Sequence, residues 1–183
     1  MAELFNLRPY LMAMVPTAVA GHLRASRDFA PARSARSWVE DHRRHITILK
    51  LGVASVSLEG VVDLARAVMS TCTPDAFHVA FDQLIVIEER AMLKASLPLA
   101  GVERCQAGLR DALRTRHLDL PRLAAPRPHV TLGYHCRDPV GVLPIDPVSW
   151  RVDELALVVS VYGQHRHAHL GRWRLPDRRK EAT

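Results

Sequence analysis

The chain has 183 residues, with 25 Lys and Arg against 19 Asp and Glu, a formal charge of +6 and a pI of about 9.8. An apolar fraction of 48% and a charged fraction of 24% are those of an ordinary globular protein, which excludes a disordered or fibrous chain. The basic excess favours polyanionic partners, and three isolated cysteines, Cys72, Cys105 and Cys136, without CxxC spacing, argue for reduced thiols in a cytoplasmic protein.

In chain order, Leu7 to Val15 reads as a buried strand and Thr17 to Phe29 as a helix, with Pro16 at its start. The apolar stretch Pro9 to Ala20 is too short to cross a bilayer, so no membrane association is expected. Ala30 to Ser37 reads as a basic loop. Arg44 to Lys50 is a β-branched run and a strand. Ser57 to Thr71 has a serine cap and helical apolar spacing, and Pro74 ends it. Phe77 to Glu88 reads as a strand, joined by a tight connection to a hairpin partner over Ala91 to Leu97. Gly101 to Arg116 is an amphipathic helix, and Leu118 to Pro128 a loop with prolines and arginines. His129 to Tyr134 is again β-type. Val152 to Tyr162 and His167 to Leu175 form a closing hairpin around Gly163, followed by a charged tail. This order predicts an α+β protein with mostly antiparallel sheets.

Two tetrapeptides match. His45-Ile46-Thr47-Ile48 and His129-Val130-Thr131-Leu132 are each His, aliphatic, Thr, aliphatic, and they lie 84 positions apart. In a strand, residues i and i+2 share a face. His45 and Thr47 therefore face one way and Ile46 and Ile48 the other; the second motif divides in the same manner. If the halves are related by an approximate two-fold, the two His-Thr pairs meet across one groove. Two imidazoles on opposite sides of a phosphorus can remove a proton from an incoming water and give one to a leaving oxygen. Threonine hydroxyls beside them can donate to the non-bridging phosphate oxygens, where charge develops. This chemistry asks for no metal and no cofactor.

The duplicated His-x-Thr-x pattern resembles that of the 2H phosphoesterase superfamily. The flanks Arg127-Pro128 before His129 and Leu49-Lys50-Leu51-Gly52 after Ile48 look like its bacterial LigT branch, the RNA 2′,3′-cyclic phosphodiesterases also called 2′-5′ RNA ligases. The resemblance spans nearly the whole chain. It implies a bilobal fold over residues 1–183, one domain of two lobes with flanking helices, a central cleft and one motif per lobe. It implies hydrolysis of 2′,3′-cyclic phosphate RNA ends to 2′-phosphates, extending to 2′-5′ ligation. It implies His129 as base, His45 as acid, and Thr47 and Thr131 on the phosphate. The expected partners are RNA ends or cyclic nucleotides, with no obligate protein partner. Small cyclic nucleotides as substrates, or a non-catalytic hold on nucleotides, are the alternatives. Three departures bear on the substrate rather than on the acid–base pair. Lys50 stands where the family commonly has an aromatic residue, Gly133-Tyr134-His135-Cys136 where it often has an early basic one, and Glu3 to Tyr10 matches loosely.

Other residues admit two readings. Tyr134 is a base-stacking residue or an ordinary strand aromatic. Arg127 holds phosphate or is solvated. Trp38 belongs to the core or to the cleft mouth. Arg43 and Arg44 supply general positive potential. His165, His167 and His169 alternate along one strand face, a spacing that can bind metal; a solvated hairpin face is the expectation.

Overall fold

The computed structural model describes residues 7–25, 35–51, 57–115, 126–137, 141–161 and 166–177. Among them, nine strands and three helices follow in the order β1 (Leu7–Met14), α1 (Thr17–Ala25), β2 (Ser37–Trp38), β3 (His45–Lys50), α2 (Leu58–Thr71), β4 (Phe77–Ile87), β5 (Arg90–Lys94), α3 (Ala100–Arg114), β6 (Val130–Tyr134), β7 (Gly141–Val152), β8 (Glu154–Val161) and β9 (Arg166–Arg174). A 3-10 turn, Asp41–Arg43, leads into β3. Every strand pairing is antiparallel, as expected of the α+β class.

The sheet order is β7-β4-β5-β6-β3-β1-β8-β9, with β2 on β6. It divides at the middle into two groups of four, and the motif strands β3 and β6 are neighbours there. They share the register pair Ile46–Val130, both fully buried. Asp153 alone links β7 to β8. In a flat sheet those strands would lie six spacings of about 4.8 Å apart, so the sheet has to curl. Irregular register in β1–β3 at Leu11/Met12, β5–β6 at Ala91/Met92, β8–β9 at Leu157/Val158 and β4–β7 at Phe81/Gln83 adds local twist.

One face of the sheet carries the main core. Ile46, Ile48, Leu11 and Ala13 pack there with Val130 and Leu132, together with Leu23 of α1, Val68 of α2 and Leu109 of α3. Helix α3 buries Val102, Cys105, Gln106, Leu109, Ala112 and Leu113, a spacing of three and four that forms one stripe. Ser57 caps α2 as the sequence predicts, its hydroxyl accepting from the Gly60 amide at 3.2 Å. The opposite face bears a small second cluster of Met12, Ala156 and Val158, edged by Tyr10 and Met14.

Two expectations need correction. The closing hairpin from residue 152 is preceded by a twelve-residue strand, β7, that is not among the elements the sequence predicts. Pro144 and Pro147 lie within it, and proline cannot donate to a ladder. Among the described residues β7 pairs with β4 at the end of the order, and Pro147 falls within the register irregularity between Phe81 and Gln83, both places where a strand tolerates proline. Arg44 does not supply general potential either: it is fully buried, donates to the Ala20 carbonyl at 2.9 Å, pairs with Asp41 at 2.9 Å and lies 5.5 Å from the Trp38 ring. Part of helix 17–29, the charged tail and His165 lie outside the described residues.

Candidate active site

The antiparallel pair Ile46–Val130 fixes the arrangement of both motifs. Continued one step to either side, that register sets His45 towards Thr131 and Thr47 towards His129, although only Ile46–Val130 is itself paired. Directly opposed side chains on one face have Cβ atoms about 4.5–5.5 Å apart. The four residues thus form a square on the face away from the main core, with the two histidines on one diagonal and the two threonines on the other. All four are partly buried.

Each imidazole is held in the same way. His45 Nδ1 is 2.7 Å from the Arg43 carbonyl and His129 Nδ1 is 2.9 Å from the Arg127 carbonyl, in both cases the residue two positions earlier. A carbonyl oxygen only accepts, so Nδ1 carries the hydrogen and Nε2 is left as the proton-exchanging atom. Arg127 therefore serves through its backbone, while its side chain is exposed. Burial lowers the pKa of both histidines. For His45 the charges of His129, Arg43 and His169 act in the same direction; for His129 those of Lys94, Arg90 and Lys50 do.

Strand β3 leaves β6 after the shared pair, and β2 takes up the rest of that edge through Ser37–Tyr134 and Trp38–Gly133. The approach is close: a Cβ on Gly133 would come within 2.7 Å of the Ala35 Cβ, which accounts for glycine after the second motif. In the opening between β3 and β2 lies a cavity of about 290 Å³, lined by Trp38, Glu40, His45, Thr131, Tyr134 and His167 among others. Tyr134 and Trp38 are thus cleft residues, and Trp38 also packs against the core. Larger hollows of about 530 and 660 Å³, one at the start of α1 beside β9 and one between α3 and β4, contain neither histidine of the pair.

His167 is not on a solvated face. It is half-buried, its ring centroid is 5.7 Å from that of His45 in an edge-to-face contact, and its Nδ1 is buried without a partner among the described residues. Burial, reinforced by the His45 charge, lowers its pKa to about 4. The alternation of His167 with His169 was the signal available in the sequence. What it lacked was the pairing Ser160–His167, which sets this end of β9 on the site face. No group of three His, Cys, Asp or Glu side chains among the described residues is arranged to hold a metal ion.

The arrangement of strands recurs in known structures. A crystal structure of a phosphoesterase superposes with a TM-score of 0.71 at 22% identity, covering 93% of this chain and 99% of that one. LigT of E. coli complexed with 3′-AMP gives 0.70 at 23% identity, over 92% and 97% of the two chains. The protein TT0787 of Thermus thermophilus gives 0.71 at 21%, over 92% and 97%. At these identities the likeness establishes the LigT-like fold. The sequence also matches the model of the 2′-5′ RNA ligase superfamily over residues 15–164, and the chain belongs to that family, the 2H phosphoesterases. It is thereby an enzyme of the kind that acts on phosphodiester bonds. No curated protein matches the sequence closely enough to add to this.

Proposed function

We propose that this protein hydrolyses 2′,3′-cyclic phosphates at RNA ends to 2′-phosphates, with His129 as general base, His45 as general acid, and Thr47 and Thr131 on the phosphate. The observation that carries the reading is the doubled imidazole geometry: two Nδ1–H groups tied to carbonyls, leaving two Nε2 atoms for one phosphorus. Water gives a proton to His129 Nε2 as its oxygen bonds to phosphorus. The P–O3′ bond breaks, and O3′ takes the proton of His45 Nε2. Both threonine hydroxyls donate to the non-bridging oxygens, where charge accumulates. An RNA 5′-hydroxyl in place of water yields a 2′–5′ bond by the same steps. The relatives complexed with 3′-AMP, ATP and NADP+ support a nucleotide as the ligand of this cleft. The free cysteines fit a cytoplasmic setting, and the 1–183 chain works as one two-lobed domain.

The cavity of about 290 Å³ beside His45 supports a second reading, in which a small 2′,3′-cyclic mononucleotide is the substrate. The test is hydrolysis of an RNA oligonucleotide ending in a 2′,3′-cyclic phosphate, and of the mononucleotide, with chelator present. The comparison is between wild type, His45→Ala and His129→Ala. Turnover to a 2′-phosphate by wild type, lost in both variants, is expected. Full activity in either variant overturns the acid–base assignment; activity on the mononucleotide alone moves the substrate to the second reading.

A further inference from the structure

The two histidines sit in equivalent backbone frames with different neighbours on the outer strand. Strand β1 flanks the first motif through Met12–Thr47 and Met14–His45. Strand β5 flanks the second through Met92–Thr131 and Leu93–Val130. Both flanking strands have a register irregularity immediately before the methionine that faces the motif threonine, Leu11/Met12 in one and Ala91/Met92 in the other. Met12 and Met92 are therefore counterparts. Two residues on, Met14 and Lys94 are counterparts as well. Continuing the β5–β6 register one step past Leu93–Val130 brings Lys94 towards His129, where it is the foremost charge acting on that ring, as Met14 pairs with His45.

Lys94 is partly exposed, on the same side of β5 as Met92 and on the opposite side from the core residue Leu93. Its neighbour Arg90 is taken up by Glu88, whereas no carboxylate pairs with Lys94 among the described residues. A lysine stem reaches about 6 Å, enough to pass from its own Cα across one strand spacing of about 4.8 Å. An ammonium there is within range of an anion held between His129 and Thr131.

We propose that Lys94 is a phosphate-contacting catalytic residue on the His129 side of the site, at the position where the His45 side carries Met14. It donates to a non-bridging oxygen and neutralises the charge that develops as water attacks, and it transfers no proton. The same ammonium disfavours protonation of His129, so the histidine that must start neutral is the one beside the lysine. The other charged or titratable groups acting on His129 are Arg90 on β5 and Lys50 on β3, with His45 across the square. This assignment rests on the hydrolytic reading above.

The experiment compares wild type with Lys94→Met, which installs the residue found at the counterpart position, and with Lys94→Arg. Turnover of a 2′,3′-cyclic phosphate oligonucleotide is followed against pH, and thermal unfolding reports the fold. Lys94→Met is expected to lower kcat on the order of 10²-fold and to move the acid limb of kcat/KM to higher pH, because His129 then protonates more readily. Lys94→Arg is expected to recover most of both effects. Rates and limbs unchanged in a folded Lys94→Met overturn the proposal, as does a rate loss with no movement of the limb. If wild type turns over no cyclic phosphate, the hydrolytic reading fails, and Lys94 is then judged by inorganic phosphate. Perturbation of the His129 ring NMR signals by phosphate, lost in Lys94→Met, supports the contact; equal perturbation in both overturns it.

Discussion

The half built from β1, β3, β8 and β9 and the half built from β4 to β7 present the same four-residue signature in the same register, yet they treat it differently. His45 is enclosed: the His167 ring stands against it and Met14 lies beside it on β1. Cations act on both histidines, but different ones: Arg43 on His45, and Lys94, Arg90 and Lys50 on His129. The motif supplies the backbone tie and the threonine, and these are identical on the two sides. What distinguishes the histidines is the set of groups brought around each motif, not the motif itself. An acid and a base can thus be made from one repeated sequence by changing its neighbours.

The comparison is broken most severely by removing either histidine. His45→Ala and His129→Ala are each expected to lower turnover by about 10²–10⁴-fold. The double variant should fall little further, since the pair acts as a unit. Thr47→Val and Thr131→Val keep the β-branched shape and remove a hydrogen bond to a charged group. Each is expected to cost about 1.5–3 kcal/mol, on the order of 10–100-fold in kcat, with thermal stability little changed.

Making the halves alike in the other direction is a gentler test. Met14→Lys places an ammonium beside the proposed acid, where the reaction needs a protonated imidazole. The basic limb of the pH profile should move to lower pH and the rate at neutral pH should fall, while Lys94→Met moves the acid limb the other way. In wild type the pKa values of both histidines lie below the ordinary 6.5. The bell of kcat/KM should accordingly peak on the acid side of that value, reporting the pair rather than either member.

The smallest effect concerns stability. The pKa of His167 falls from 6.5 to about 4 on folding. A histidine whose pKa is depressed by folding contributes stability that is complete above the unfolded value and is lost as pH falls through the folded one. Urea midpoints should therefore decline between pH 6.5 and about 4, and decline less in His167→Phe. An identical decline in that variant would remove His167 from the account.

Much of this was legible in the sequence, and the reasons are local. The alternation in His45 to Ile48 and His129 to Leu132 settled which side chains face the core, because a strand has a period of two. Ser57 announced the start of α2. Strand β7 was hidden by its prolines, whose effect depends on whether the strand is central or at an edge. Arg44 is spelled like a surface arginine, and only the contact with Ala20 and Asp41 shows it buried. Lys94 is 35 residues from His129 in sequence. The register slip at Ala91/Met92 decides which residue of β5 stands beside the histidine, and no pattern of residue types encodes such a slip.

The motif strands meet at one rung, Ile46–Val130, and the chemistry straddles that rung. A joint so narrow behaves as a spine, and the angle between the two covers sets the span from imidazole to imidazole. Helix α3 lies behind it, touching β3 of one half and β4 of the other. Substitutions on the buried stripe of α3, on the far side of the sheet, are therefore expected to alter the spacing of the two imidazoles without touching either.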